Sequence, residues 1–431
     1  MQKVEKIKRV QGELRVPSDK SITHRSFILG ALAQGETEIV RPLFSEDTKA
    51  TLRILKMLGT EVQEETDRVI IRGRSYIFRE PENILDAKNS GTTARVMAGV
   101  LSTQPFFSVI TGDESLRQRP MLRVVEPLRN MGANIEGREE GNKLPIAIKG
   151  GKLKGISYFN KRASAQVKTA LLLAGLRAEG ITEVVEPYLS RDHTERMLKL
   201  FGGEIITIPG EKGHIVKVKG GQELQGTEVY CPADPSSAAY FAALATLAPG
   251  GQLILKEVLL NPTRDGFFRK LLEMGADIEF KDFKEVSNEP VADVVVKPAE
   301  GLKAVKVSPS EVPTLIDEIP ILAVLMAFAE GVSEVRGAKE LRYKESDRIK
   351  AIVVNLRKMG VQVEELKDGF IIEGTEKLKG AKIETFNDHR IAMAFTVAGL
   401  ITDEEVIIDN PECVAISYPN FWNDIFSVVE F

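Results

Sequence analysis

The chain has 431 residues and a net charge of −4, with 43% apolar and 28% charged residues. This is ordinary globular composition, long enough for two or more domains, and the acidic balance excludes a general nucleic-acid binder. The longest apolar run, Ile319 to Ala329, is too short to cross a bilayer, and Cys231 and Cys413 do not make a disulfide framework. The first residues, Met-Gln-Lys-Val-Glu-Lys-Ile-Lys, carry no apolar signal core, so a cytoplasmic protein is expected.

In chain order, residues 4–17 read as strands with no helix before them. A helix rich in small apolar residues follows from Ser26, then a strand, then a helix ending in Leu-Lys-Met-Leu-Gly at 55–59. Two strands, 60–64 and 68–72, close the unit across a polar turn. The same succession then returns. Further small-residue helices run from Thr93, Thr169, Ala238, Pro320 and Ile391. Further Gly-terminated helices end at Gly132, Gly202, Gly275 and Gly360, at spacings of 73, 70, 73 and 85 residues from Gly59 onward. Glycine just past a helix end fits a left-handed cap, and a repeat this long is a small α/β unit rather than a solenoid turn. Helices apolar nearly all round belong inside a packed domain.

Six units of about 72 residues would account for the chain. The sixth lacks closing strands after its last helix, and the N-terminal strands are expected to complete it. Residues 1–17 plus 232–431 would then form domain one and 18–231 domain two. Two crossings, near Pro17 and near Cys231–Asp234, suggest a hinge.

The residues opening the small-residue helices are unusually polar: 19–25, 89–93, 164–166, 234–237, 316–320 and 387–390. Helix starts expose unpaired N–H groups and the positive end of the dipole, which makes them natural anion sites. Capping accounts for Asp234, Ser236 and Ser237. It does not account for Lys20, Arg25, Arg95 and Arg390, whose charge opposes the dipole, and a bound anion would. Lys344, Glu345, Asp347 and Arg348 crowd the opening of the fifth Gly-terminated helix, with Lys344 and Arg348 four apart on one helical face. Arg119 sits in a basic loop before a helix-starting proline. There is no phosphate loop, and His24, His193, His214 and His389 lack metal-ligand spacing, so structural histidines and no metal are expected.

Together these segments resemble the 5-enolpyruvylshikimate-3-phosphate synthase family over essentially the whole chain. The resemblance rests on 17–25 (Pro-Ser-Asp-Lys-Ser-Ile-Thr-His-Arg), 89–95 (Asn-Ser-Gly-Thr-Thr-Ala-Arg), 119–121 (Arg-Pro-Met), 164–166 (Ser-Ala-Gln), 342–348 (Arg-Tyr-Lys-Glu-Ser-Asp-Arg) and 387–390 (Asn-Asp-His-Arg). It implies an inverse α/β prism of two hinged domains, each of three βαβαββ units. It also implies transfer of the enolpyruvyl group of phosphoenolpyruvate to the 5-hydroxyl of shikimate 3-phosphate, by addition and elimination through a tetrahedral intermediate. This is a step of the shikimate pathway to chorismate and aromatic amino acids, carried out by a cytoplasmic monomer without cofactor, nucleic-acid or membrane partner. Both substrates carry a phosphate and a carboxylate, which explains gathered cations in an acidic protein.

By resemblance, Lys20, Ser21, Arg25, Ser164, Ala165, Gln166, Arg191, Asp317 and Lys344 contact shikimate 3-phosphate. Lys20, Gly91, Arg119, Gln166, Lys344, Arg348 and Arg390 contact phosphoenolpyruvate, in the site that glyphosate occupies. Asp317 would be the base toward the 5-hydroxyl and Glu345 would transfer a proton at the methylene, with Lys20 as an alternative acid. Ala165 stands where some members have serine, leaving only its backbone to bind. Ile416 stands where some have a phosphate-binding lysine. The alternative is the sister transferase acting on UDP-N-acetylglucosamine. That family usually carries a cysteine in the loop matching 117–121, which has none here. Two other readings are a repeat scaffold without catalysis and RNA phosphate cyclisation, which uses related units.

Overall fold

The computed structural model describes residues 1–431. The chain divides into two compact units, Ser18–Cys231 and Met1–Pro17 with Pro232–Phe431.

In the Ser18–Cys231 unit three four-stranded sheets share one plan. Leu85–Asp86 runs parallel to Phe107–Thr111, which is antiparallel to Lys143–Lys149, itself antiparallel to Asn134–Gly137. Ser157–Phe159, Ile181–Glu186, Gly213–Lys219 and Ile205–Gly210 repeat that order. In the third sheet, Gln34–Val40 takes its parallel neighbour from Glu228–Tyr230, at the far end of the unit. The strand that precedes it in sequence, Arg9–Leu14, pairs instead with Gly251–Leu259 in the other unit. Each crossing of the chain thus exchanges a first strand, and each sheet is completed by a strand of its own unit.

The Met1–Pro17 and Pro232–Phe431 unit contains the four-stranded sheet Lys306–Val307, Val332–Val335, Gly369–Glu373, Gln362–Leu366 on the same plan. Of the two N-terminal strands, Gln2–Val4 adds antiparallel to Val406–Ile408, in the sheet of the last repeat. Arg9–Leu14 lies in a five-stranded sheet with Gly251–Leu259. The chain end is more regular than its sequence suggests: after the helix Phe421–Val428, Val429–Glu430 forms a short strand against Arg9–Val10.

The small-residue helices are Lys20–Leu32, Gly91–Leu101, Ala165–Gly175, Pro235–Leu247, Ile319–Phe328 and His389–Ile401, and nearly every residue in them is buried. Small side chains let them approach closely. A Cβ on Gly99 would lie 2.3 Å from the carbonyl oxygen of Ala170, so two of these helices touch backbone to backbone. The outer helices Glu46–Met57, Leu122–Asn130, His193–Leu200, Gly266–Glu273 and Arg348–Lys358 end at Gly59, Gly132, Gly202, Gly275 and Gly360. All five glycines have positive φ, between 81° and 109°, as left-handed caps require. The buried helices bring polar first turns to their ends, and those turns carry the candidate site.

Candidate active site

In the Ser18–Cys231 unit, Asp19 caps the helix Lys20–Leu32 by accepting from the Ile22 N–H at 2.7 Å. Lys20 is its first residue, and its Nζ lies 3.0 Å from Asp47. Arg25 is in the second turn, not the first, and is 3% exposed. Its guanidinium donates to Thr194 Oγ1 at 2.9 Å, Thr169 Oγ1 at 3.0 Å and the Ser21 carbonyl at 3.0 Å. Arg191 Nη1 donates to Ser21 Oγ at 3.2 Å. The structure therefore brings Lys20, Ser21, Arg25 and Arg191 together.

A second group forms around the start of the helix Gly91–Leu101. Ser90 caps it through the Thr93 N–H at 3.0 Å, and Gly91 is its first residue. Arg95, also a turn deeper than expected, donates to Gln166 Oε1 at 2.6 Å and to the Pro120 carbonyl at 3.0 Å. The Gln166 amide N–H in turn donates to Thr92 Oγ1 at 3.1 Å. Arg119 donates to Asn89 Oδ1 at 2.9 Å. No helix starts at Pro120; the next one begins at Leu122. Lys20 and Arg390 lie in first turns, where their charge opposes the dipole; Arg25 and Arg95 do not. The latter two act through specific hydrogen bonds. Ser164 caps the helix Ala165–Gly175, which puts Ala165 and Gln166 in its first turn.

The other unit holds a cluster centred on Arg348, 1% exposed, the first residue of the helix Arg348–Lys358. Its guanidinium donates to Glu345 Oε2 at 2.6 Å, to Asp388 Oδ2 at 2.9 Å and to Asp317 Oδ1 at 3.2 Å. Burial opposes the charge of Arg348, but Asp388, Glu345 and Asp317 outweigh it and hold its pKa above the usual value. Burial likewise pushes Asp388 up, and Arg348 more than reverses this. Lys344 does not share a helical face with Arg348. Asp347 caps the helix that starts at Arg348, and Lys344 precedes it in an extended conformation. Its Nζ nevertheless lies 3.6 Å from the same Asp317 oxygen.

Glu345, Asp388 and His389 could place one ligand atom each around a metal ion. The Arg348 guanidinium, bonded to both carboxylates, already supplies the positive charge there. Arg390 is 3% exposed, and its Nε and Nη1 are buried without a well-aligned hydrogen bond, with the Tyr240 hydroxyl interacting with the guanidinium. Burial opposes its charge, and Tyr240, Asp317 and Asp234 outweigh burial. Ile416 ends the turn Pro411–Ile416 and brings no charge. His24 is buried against Thr51 Oγ1 at 2.8 Å, and burial pushes its pKa down to about 3, so it is a neutral structural residue. Asp388, which sequence reasoning passed over, is the most buried of the three acids on Arg348, with its side chain 0% exposed. Its only sequence signal is its place in the 387–390 motif.

A model of the family EPSP synthase (3-phosphoshikimate 1-carboxyvinyltransferase) matches residues 4–425. The chain belongs to the EPSP synthase family. It is 78% identical over 431 residues to the 3-phosphoshikimate 1-carboxyvinyltransferase of Aquifex aeolicus, covering 100% of both chains. The enzyme of that name from Persephonella marina is 51% identical over 427 residues, 99% of each chain. The solved EPSP synthase of Acinetobacter baumannii superposes with a TM-score of 0.86 at 41% identity, over 99% of this chain and 97% of that one. At 16% identity and a TM-score of 0.78, the enolpyruvyl transferase NikO from Streptomyces tendae shares the fold. Two-domain α/β architecture is thus a property of the EPSP synthase family that this chain displays. No helix is long and apolar enough to cross a membrane.

Behind Arg25, Lys168 is fully buried between Glu186 and Glu195, at 3.2 and 3.1 Å. Burial pushes Glu195 up to about 7 from its ordinary 4.5. The folded chain therefore holds this proton more tightly than the unfolded chain. Stability from this group is greatest below pH 4.5 and falls as pH rises toward 7. Glu195→Gln, which mimics the protonated acid, is expected to raise Tm above pH 7 and to have little effect near pH 5. Thermal melts across pH check this; a lower Tm at pH 8 would show that the carboxylate charge is needed.

Proposed function

We propose that this chain transfers the enolpyruvyl group of phosphoenolpyruvate to the 5-hydroxyl of shikimate 3-phosphate and releases phosphate. The observation that carries the residue assignment is the unequal exposure of the three acids on Arg348. Asp388 is 0% exposed and also accepts from Ser346 Oγ, whereas the Asp317 and Glu345 side chains remain 14% and 11% exposed. Asp388 therefore fixes Arg348, and Asp317 and Glu345 are left to meet substrate.

Addition needs a proton delivered to the methylene carbon and one removed from the attacking hydroxyl. Elimination removes a methyl proton and expels phosphate, so acid and base exchange roles. Glu345 handles the carbon-bound proton and Asp317 the hydroxyl proton, with Lys20 as the alternative acid. Lys20, Ser21, Arg25, Ser164, the Ala165 backbone, Gln166, Arg191, Asp317 and Lys344 hold shikimate 3-phosphate. Lys20, Gly91, Arg119, Gln166, Lys344, Arg348 and Arg390 hold phosphoenolpyruvate. Poorly matched N–H groups on a buried guanidinium favour an anionic ligand at Arg390. The loop from Arg117 to Met121 has no cysteine, which speaks against the UDP-N-acetylglucosamine transferase. The buried free thiols of Cys231 and Cys413 suit a reducing cytoplasm. A single chain carries all the assigned residues, which suits a monomer.

Gly91 offers a direct test. A Cβ there would lie 2.9 Å from Arg95 Nη1 and 3.4 Å from Arg119 Nη1. The first is too close and is the end of a flexible side chain, and the second is ordinary contact, so Gly91→Ala should fold normally while shifting the Arg95 guanidinium that holds Gln166. Inhibition kinetics are expected to show glyphosate weakened more than phosphoenolpyruvate. Equal losses for both would remove Gly91 from the discrimination between them.

A further inference from the structure

Lys168 is a charged residue inside a helix that is otherwise almost wholly apolar, and it has no exposed surface. Its Nζ donates to Glu186 Oε2 at 3.2 Å, Glu195 Oε2 at 3.1 Å and the Ser190 carbonyl at 3.2 Å. Glu186, the last residue of the strand Ile181–Glu186, is 0% exposed. Besides Lys168 it accepts from the Ser190 N–H at 3.1 Å, Ser190 Oγ at 2.7 Å and Asn160 Nδ2 at 3.0 Å. Asn160 Nδ2 also donates to the Ser164 carbonyl at 2.9 Å, and Asn160 Oδ1 accepts from the Ser164 N–H at 3.3 Å.

One buried carboxylate is thus tied to two stretches of backbone. Through Asn160 it holds the turn that ends at Ser164, and through Ser190 it holds the turn that carries Arg191. Apolar side chains of similar volume would fill this space at less desolvation cost than a lysine and two glutamates. What apolar packing cannot supply is a set of directed bonds that fixes both turns at once.

We infer that the Lys168–Glu186 pair is a positioning device that sets Ser164 and Arg191 in register to grip the phosphorylated acceptor. This rests on the reading above, in which those two residues contact shikimate 3-phosphate. Neither Lys168 nor Glu186 touches substrate. Gln166 is held separately, by Arg95 and Thr92, so the phosphoenolpyruvate contacts are independent of the pair. Glu195 bonds Lys168 but neither turn, which makes Glu195→Gln the control for disturbing the buried charges alone.

The test compares Glu186→Gln, Ser190→Ala and Glu195→Gln in the full chain, by amide hydrogen exchange and by calorimetric titration with shikimate 3-phosphate. Glu186→Gln is expected to speed exchange selectively in 160–164 and 188–192. It should weaken shikimate 3-phosphate about tenfold, the loss of roughly one buried hydrogen bond to a charged group, while KM for phosphoenolpyruvate stays within about twofold. Ser190→Ala, a milder change that keeps the ion pair, should speed exchange in 188–192 and weaken shikimate 3-phosphate about threefold. Glu195→Gln should alter neither. The inference is overturned if exchange rises uniformly across the unit, if the two substrates weaken alike, or if Ser190→Ala leaves affinity and exchange unchanged. Wild-type protein that fails to bind shikimate 3-phosphate would sink the functional reading instead, and the exchange pattern would still decide the positioning role.

Discussion

Glu345→Gln is expected to lower kcat by about a hundredfold or more while leaving the affinity for shikimate 3-phosphate within about twofold, the signature of a lost proton-transfer group. The substitution keeps the side-chain volume. Arg348 retains its bonds to Asp388 and Asp317, so the buried guanidinium is not abandoned and the variant should fold. The Gln amide cannot take a proton from carbon or return one at working pH. Its neighbour His389, whose Nε2 lies 3.6 Å from Glu345 Oε1, is anchored through Nδ1 to Ser417 Oγ and remains in place. Steady-state kinetics with a direct binding measurement separate the outcomes. Normal turnover with unchanged binding would remove Glu345 from the mechanism. Equal losses in binding and turnover would make it a contact rather than a proton carrier.

Arg390→Met carries the second large effect, and it has opposite signs for function and stability. Two buried N–H groups of Arg390 make no well-aligned hydrogen bond, the Tyr240 hydroxyl interacting with the guanidinium only in poor geometry; a buried group left so costs about 1–3 kcal/mol in the ligand-free protein. Its acidic neighbours do not depend on it. Asp317 keeps Arg348 and Lys344, and Asp234 keeps Arg264 at 3.3 Å. Methionine fills much of the volume without charge. The variant should therefore melt no lower than wild type, while phosphoenolpyruvate weakens by about a hundredfold, the loss of roughly one bidentate charge-assisted contact. A Tm several degrees lower, with phosphoenolpyruvate still bound, would make Arg390 a structural cation.

The parts of this architecture legible in sequence are the local ones. Leu-x-x-x-Gly marks a helix end because only glycine sits easily at positive φ. Runs such as 238–245 mark a buried helix because no polar face interrupts them. Arg9–Leu14 and Glu228–Tyr230 look alike, each a strand ahead of a small-residue helix, and nothing local states that they exchange partners. Val429–Glu430 is too short to announce itself. At the site, polar residues at helix starts were visible as motifs. Their depth was not. Arg25 and Arg95 lie a turn further in than the dipole argument assumed, and the helix holding Arg348 starts too late for Lys344 to share it. Asp388 and Lys168 were missed because their partners are distant: Arg348 lies 40 residues from Asp388, and Glu186 and Glu195 lie 18 and 27 from Lys168. A buried lysine also reads, in sequence, like any solvent-facing one.

The most direct test of the central claim is phosphate release by purified protein from phosphoenolpyruvate, with either shikimate 3-phosphate or UDP-N-acetylglucosamine as acceptor. Release only with shikimate 3-phosphate, abolished by Lys20→Ala, is the expected result. Folded protein that releases no phosphate with shikimate 3-phosphate, or releases it equally with both acceptors, would contradict the assignment.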